Sequence, residues 1–266
     1  MHMINKPRTK FGQFIDKIDG RVFLLISLLL GLLTWQLVSM TSAGAVFAGP
    51  VDTFNAFVKE ISNGKLLEHT YVSLYRVLGG FILALIIAIP VAFLMGWYKV
   101  CRLLVEPWIQ FLRTIPPIAY IPLVIVAQGV GESAKITVIF IASFLVMVVS
   151  IYQGVRNVDV TLIKASRVLG AKDSDIFLKV IIPAAFPFIL VALRLGLSAA
   201  LTTLIAAELT GAQVGLGQMI QEASLYFRME IVILGIVVIG VIGFILDKTL
   251  LFLERKLAGW QEVRSV

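Results

Sequence analysis

Cysteine and histidine are almost missing from this chain. Cys101 is its one cysteine, and His2 and His69 are its two histidines among 266 residues. A lone cysteine forms no intramolecular disulfide, and no Cys/His cluster with metal-ligand spacing exists, so no metal site is expected. Serine or metal-dependent hydrolysis needs a histidine or lysine beside the nucleophile. The long apolar segments contain no histidine and no central lysine, which argues against an intramembrane hydrolase; no catalytic residue is expected. A nucleotide cradle is missing too. No Gly-Lys-Ser/Thr occurs, and Gly215-Leu216-Gly217 belongs to no Gly-x-Gly-x-x-Gly after a strand. Charge is scarce at 15%, against about 25% in soluble domains, while 59% of residues are hydrophobic. No internal repeat or low-complexity tract stands out, whereas secondary transporters often carry inverted repeats.

Long apolar runs fill the chain instead. Six segments, near 22–40, 77–98, 107–128, 136–154, 184–207 and 231–252, each reach the ~20 residues that cross a hydrocarbon core of about 30 Å. The fold class is therefore all-α, a polytopic membrane protein with six transmembrane helices. Residues 22–40 follow basic residues and precede Ala43-Gly44-Ala45, as a cleaved signal would. A signal core is only about 7–15 residues long, so an uncleaved first span is favoured. The net charge of +7 invites an acidic or nucleic-acid partner, but its distribution reads as topology. With a cytoplasmic N-terminus, sixteen Lys and Arg fall on inner segments and five on outer ones: Lys59, Lys65, Arg76, Lys135 and Arg228. The positive-inside rule then places both termini and the 155–183 loop in the cytoplasm, with membrane lipid as the surroundings and no nucleic acid as partner.

Polar residues inside the spans point to a route. Arg113 lies in the third span, and Arg194 and Glu208 lie in the fifth. A charge at mid-bilayer costs at least about 2.5–3.5 kcal/mol, so such residues usually face a cavity or a partner. Helical spacing puts Gln110, Arg113, Pro117, Tyr120 and Gln128 on one broad stripe, and Arg194, Ser198, Thr202 and Glu208 on another. These stripes suit a hydrated translocation path; arginines bonded to backbone carbonyls or held in fixed ion pairs satisfy the same pattern. Glu208 is expected near an outer gate, with Gln128 and the tight re-entry at Gly211, Gly215 and Gly217. A short amphipathic helix follows over 218–227. Pro116-Pro117 and Pro122 interrupt the third span, and Pro90 is expected to kink the second. Gly196 and Ala200 suit either a dimer seam or close packing within the chain.

The most informative stretch is 164–183, KASRVLGAKDSDIFLKVIIP. Leu162, Ala165 and Leu169 share one helical face. Gly170 can end that helix in a left-handed conformation, and Asp173 or Ser174 can cap a second helix with Ile176, Phe177 and Val180 on one side. A helix-Gly-helix unit beside the membrane suits a docking knob for a soluble partner, as it also suits a solvated connector. These residues resemble the cytoplasmic "EAA" loop of bacterial ABC importer permeases. That pattern runs Glu-Ala-Ala, three residues, Gly, nine residues, then Ile-x-Leu-Pro. Ala165 and Gly170 match, and Val180 to Pro183 hold the spacing, while Lys164 stands for the Glu and Ser166 for the second Ala.

The stretch RTIPPIAYIPLVIVAQGVGESAK is similar to the third-span region of one permease subgroup, which handles nitrate, taurine, alkanesulfonates, bicarbonate and some vitamin precursors. Arg113, Pro116, Pro117, Pro122, Gly129, Gly131 and Glu132 match, and Gln128 replaces an aromatic. Residues 194–220 resemble the same subgroup's fifth span, including Ala207-Glu208. The likeness covers about 66–260; the first 65 residues match in hydropathy alone. It implies a type I importer permease fold with cytoplasmic coupling helices in the loop 159–183. The chain then divides into a cytoplasmic segment 1–21, a first span and outer connector 22–65, a core 66–260 and a tail 261–266. Lys164, Ala165, Ser166, Arg167, Gly170, Ala171 and Pro183 would couple to ATPases. The resemblance also implies a homodimer, two ATP-binding cassette ATPases that carry ATP and Mg, and a periplasmic or lipid-anchored solute-binding protein. The solute would be an oxyanion, a sulfonate or a related small molecule, with a vitamin or pyrimidine precursor as the alternative. An ion-coupled secondary transporter is the other class considered.

Overall fold

The computed structural model describes residues 20–41 and 47–257. The segment before residue 20, the Ala43-Gly44-Ala45 stretch and the 261–266 tail lie outside the described residues. Every regular element among the described residues is helical. In chain order these are α1 (Gly20–Ser39), α2 (Pro50–Ser62), α3 (Lys65–Trp97), α4 (Lys99–Thr114), α5 (Ile121–Gln128) and α6 (Glu132–Arg156). There follow α7 (Val160–Val168), α8 (Asp173–Ile176), α9 (Ile182–Leu209), α10 (Leu216–Leu225) and α11 (Met229–Leu257). Five helices are long and apolar enough to cross a membrane, six when one bent pair counts as a span.

The core is a three-helix layer in which α6 packs along both α3 and α9. Small residues let the backbones approach. Ala84, Ala88 and Ala92 of α3, spaced four apart, are wholly buried in a cluster with Ile139, Met147, Val148 and Ile151 of α6. On the other side of α6, Ser143 Oγ donates to the Gly196 carbonyl of α9 at 3.1 Å. Gly196 and Ala200 are both buried, so their small-residue spacing serves packing inside the chain. Without a hydrophobic drive between helices in lipid, such close packing and interhelical hydrogen bonds supply the association energy. The helix α11 joins through a second cluster, in which Ile231 and Leu234 meet Leu216, Met219 and Ala223 of α10 and Ala56 of α2. By contrast α1 lies off the bundle, none of its span buried, tied at its end by Trp35 Nε1 donating to the Ala48 carbonyl at 3.0 Å.

The third span departs from expectation. The sequence predicts an interrupted helix over 107–128. The chain instead makes two helices, α4 and α5 with a 3₁₀ turn at Pro117–Tyr120, and turns by 99° between them. The cause is the proline pair. A residue before proline is pushed out of the helical region, and here Ile115 (φ −83°, ψ 123°) and Pro116 (φ −56°, ψ 133°) are both extended in succession. The stripe from Gln110 to Gln128 therefore does not exist as one face. The second span, α3, in contrast, runs unbroken through Pro90 and begins twelve positions before the predicted span, at Lys65. Arg76 and Lys135, assigned to outer segments from sequence, lie inside α3 and α6 and are buried.

The α6–α9 crossing is tight at Gly154, where an added Cβ would overlap the Cβ and ring of Phe188. Overpacking typically costs about 1–3 kcal/mol, and those Phe188 atoms sit next to backbone and cannot swing away. Gly154→Ala is expected to lower the thermal unfolding midpoint in detergent by several degrees. Gly240→Ala, whose Cβ meets nothing within 4 Å, should leave it unchanged.

Candidate functional site

At one end of the core layer stands a helical knob. Asp159 caps α7, accepting from the Thr161 N–H at 2.8 Å. That backbone bond holds the Asp159 carboxyl below the ordinary carboxylate range. The helix ends in a Schellman motif: Gly170 N–H donates to the Arg167 carbonyl and Ala171 N–H to the Ser166 carbonyl, each at 3.0 Å. Gly170 sits at φ +82°, the left-handed position such an ending requires. The second helix starts at Asp173, but no side chain caps it; Asp173 instead accepts from Arg167 Nη2 at 3.4 Å. Ile176 is wholly buried, and Phe177 meets Phe93 and Trp97 edge-on, with ring centroids 5.8 and 5.4 Å away. Ile163, Ala171 and Val180 also pack on the core. The predicted apolar face of Leu162, Ala165 and Leu169 points away from it. Val168 and Leu169, at the tip, are 88% and 87% exposed. Lys164 and Arg167 flank them in the open, while Ser166 Oγ donates back to the Leu162 carbonyl at 2.8 Å.

The knob is not hinged to α9. A π-helical turn at Phe177–Ile181 carries the chain into Pro183 in the first turn of α9, so Asp173–Leu209 forms one helix of 37 residues. A proline at 183 has no N–H to return to residue 179, and the wider turn accommodates the loss.

The far end of that helix enters a buried ion network. Arg76 of α3 forks its Nε and Nη2 onto Glu132 of α6, at 2.6 Å each. Its Nη1 donates to Glu208 of α9 and to the Val214 carbonyl, both at 2.7 Å. Glu208 also accepts from Ser73 Oγ and from the Gly217 N–H, each at 2.7 Å. The re-entry loop is held by two further bonds. Leu216 N–H donates to Ser73 Oγ at 2.8 Å, and Gly215 N–H donates to His69 Nδ1 at 2.9 Å, which leaves the ring proton on Nε2. Glu208 has no exposed area. Gly215 is needed here for space as well as for its φ of +143°, since a Cβ would lie 2.5 Å from Glu208 Oε1 and 2.6 Å from Arg76 Nη1. Glu208 thus turns into the bundle, away from the open face of Arg194, Ser198 and Thr202.

Other predicted residues are scattered. Arg194 Nε donates to Asp247 Oδ1 of α11 at 3.0 Å. Arg113 is exposed and has no hydrogen-bond or ion-pair partner among the described residues. Tyr120 OH donates to the Leu112 carbonyl at 2.8 Å, and Gln128 Oε1 accepts from Thr137 at 3.0 Å. Gln110 lines a polar cleft of about 320 Å³ with Glu106, Tyr152 and Arg156, at the knob end of α6. Sequence reasoning missed Arg76, Ser73, His69 and Asp247. The first three were legible as an i, i+4, i+7 face, and Asp247 as a carboxylate inside an apolar run.

Removing one partner of a buried ion pair leaves an uncompensated charge and costs about 3–5 kcal/mol. Arg76→Leu is therefore expected to collapse thermal stability. Arg76→Lys should rescue little, because one ammonium cannot serve both carboxylates as a fork does. Glu132→Gln, at a half-exposed carboxylate, should cost far less, about 1 kcal/mol. Unfolding midpoints of the three variants in detergent give the ranking.

Comparison with known proteins gives the family. The family model described as "Binding-protein-dependent transport system inner membrane component" matches residues 80–259. A probable ABC transporter permease protein of Brucella abortus is 50% identical over 92% of this chain and 98% of its own length. The taurine transport system permease protein TauC of Escherichia coli is 38% identical over 73% of this chain and 71% of its own. A crystal structure of an amino acid ABC transporter superposes with a TM-score of 0.64 at 21% identity, over 76% of this chain and 98% of that one, and so shares the fold. With residues 80–259 matched by the family model and a relative 50% identical over 92% of its length, this chain belongs to the inner membrane components of binding-protein-dependent transport systems, the ABC transporter permeases.

Proposed function

We propose that this chain is the membrane-spanning half of an ATP-driven importer, working as a homodimer with two separate ATPases and an outer solute-binding protein. ATP and Mg sit on the ATPases, and this chain is a non-catalytic transport subunit. Both termini and the 159–183 unit face the cytoplasm, a reading supported by the sixteen-to-five charge asymmetry, which sharpens once Arg76 and Lys135 are removed from the outer loops. The observation that carries the proposal is the knob. Two almost fully exposed apolar side chains, Val168 and Leu169, ringed by Lys164 and Arg167, stand on a unit locked to the core by Ile176 and Phe177. A soluble domain that buries that tip gains a firm handle on the membrane layer.

The mechanism follows from continuity. When the ATPases close, the knob moves with them. Because Asp173–Leu209 is one helix, about 55 Å long at 1.5 Å per residue, the displacement reaches Glu208. There it loads the contacts that hold α3, α6 and the Gly211–Gly217 loop, and alternation of the outer opening follows. Solute passes along the open face of α9. The likeness to a taurine permease, together with the cations Arg113 and Arg194, supports a small oxyanion, sulfonate or related solute. In proteoliposomes holding the full complex, uptake is expected to require ATP. Leu169→Glu should reduce it at least ~10-fold, the rate equivalent of about 1.4 kcal/mol, with helix content unchanged. Uptake that persists without ATP on an ion gradient would refute the proposal.

A further inference from the structure

Two opposite charges stand open near mid-depth on the outer surface of the helix layer. Arg194 and Asp247 pair at 3.0 Å, yet their side chains remain 44% and 38% exposed. Arg194 is about 18 Å along α9 from Ile182, close to the middle of that 28-residue helix. Ionic groups at that depth face a cavity or a protein partner, not hydrocarbon. The contrast with the Arg76 network is informative. There Arg76 and Glu208 are buried, and Arg76 uses all three guanidinium nitrogens. Here only Nε and Oδ1 are engaged among the described residues, which leaves both Nη groups and Oδ2 open. Ser198 and Thr202 continue the same face, one and two turns on. Their hydroxyls donate back to the Arg194 and Ser198 carbonyls, so their oxygens remain as acceptors.

We propose that the Arg194–Asp247 pair is a recognition point for a small zwitterion, a molecule with an ammonium group and a carboxylate or sulfonate a few ångströms apart. The inference rests on the importer reading and narrows its solute class. Charge balance decides between a zwitterion and a simple anion. A simple anion on the open Nη groups sets two negative groups beside one guanidinium, and Asp247 opposes it by like-charge repulsion. A zwitterion exchanges one ion pair for two: its anionic end meets the guanidinium fork and its ammonium end meets Asp247. No charge is orphaned in either state. Without solute, Asp247 closes on Arg194 and the face is neutral; with solute, both partners turn to it and the acceptor oxygens of Ser198 and Thr202 lie along the approach.

The test uses a thiol on this face. Cys101 is the one cysteine of this chain, so Ser198→Cys in a Cys101→Ser background gives this chain a single thiol, and its labelling is read on this chain after purification in the full transporter complex. A membrane-impermeant thiosulfonate reagent is expected to label it, because thiolate chemistry needs water. Taurine and β-alanine should slow labelling at concentrations at least tenfold lower than isethionate and 3-hydroxypropionate, which keep the anion and replace the ammonium by hydroxyl. Asp247→Asn should bring that ratio close to one. Absence of labelling, equal protection by both members of each pair, or an advantage that survives Asp247→Asn would overturn the site. A purely structural pair would lower the unfolding midpoint in Asp247→Asn and leave the ratio alone; if that variant does not fold, the ratio in the Asp247-containing protein still decides. ATP dependence of uptake by the same complex reports on the importer reading alone, so failure of that reading is separately visible.

Discussion

One buried guanidinium holds this molecule in register. Arg76 joins α3 to α6 through Glu132 and to α9 through Glu208, at one end of the helix layer. Arginine suits the task because its planar fork can satisfy one carboxylate with two parallel bonds and still offer a third nitrogen to another. The same side chain reaches the Val214 carbonyl, while Ser73 and His69, on the same face of α3, collect the next N–H groups of the loop. No buried side-chain nitrogen or oxygen among the described residues lacks a partner. That completeness matters in lipid, where an unmatched polar group has no water to fall back on.

The other end of the layer is built by different physics. The knob docks by aromatic edges and buried aliphatics, Phe177 on Phe93 and Trp97 with Ile176 beneath, and its shape comes from backbone chemistry at Gly170. Between the two ends runs a single helix, Asp173–Leu209. In the proposed importer, this element, which begins in the knob and finishes on a buried carboxylate, would couple a soluble event to the opposite side of the membrane. Packed helices and a complete ion network resist gradual deformation, so a push at one end favours a switch between discrete arrangements.

Much of the layout was legible because it is encoded locally. Hydropathy marks five of the spans, since each is one apolar helix, and Gly170 announces its ending because few other residues tolerate a left-handed backbone. The third span was harder. Pro116 and Pro117 signal an interruption, but a pattern read along one axis cannot show that the axis turns 99°, which dispersed the Gln110–Gln128 stripe. Arg76 escaped because the span was started at Val77, twelve positions after the helix begins, and a charge just outside a boundary reads as a loop residue. The role of Gly196 was decided by Met147 and Ser143 on another helix, a contact that no spacing within α9 contains. Glu208 was found by its isolation in an apolar run, yet its partners lie 132 and 135 positions away in sequence.

The link between the two ends is open to one direct measurement. Spin labels at Leu169→Cys and Gln213→Cys, in a Cys101→Ser background within the reconstituted complex, give separate intermolecular distances across the dimer at the knob and at the re-entry loop. Pulsed electron resonance with and without ATP should show both distances shifting together between two discrete populations. A knob distance that responds to ATP while the loop distance stays fixed would contradict a rigid connection from the docking unit to the Arg76 network.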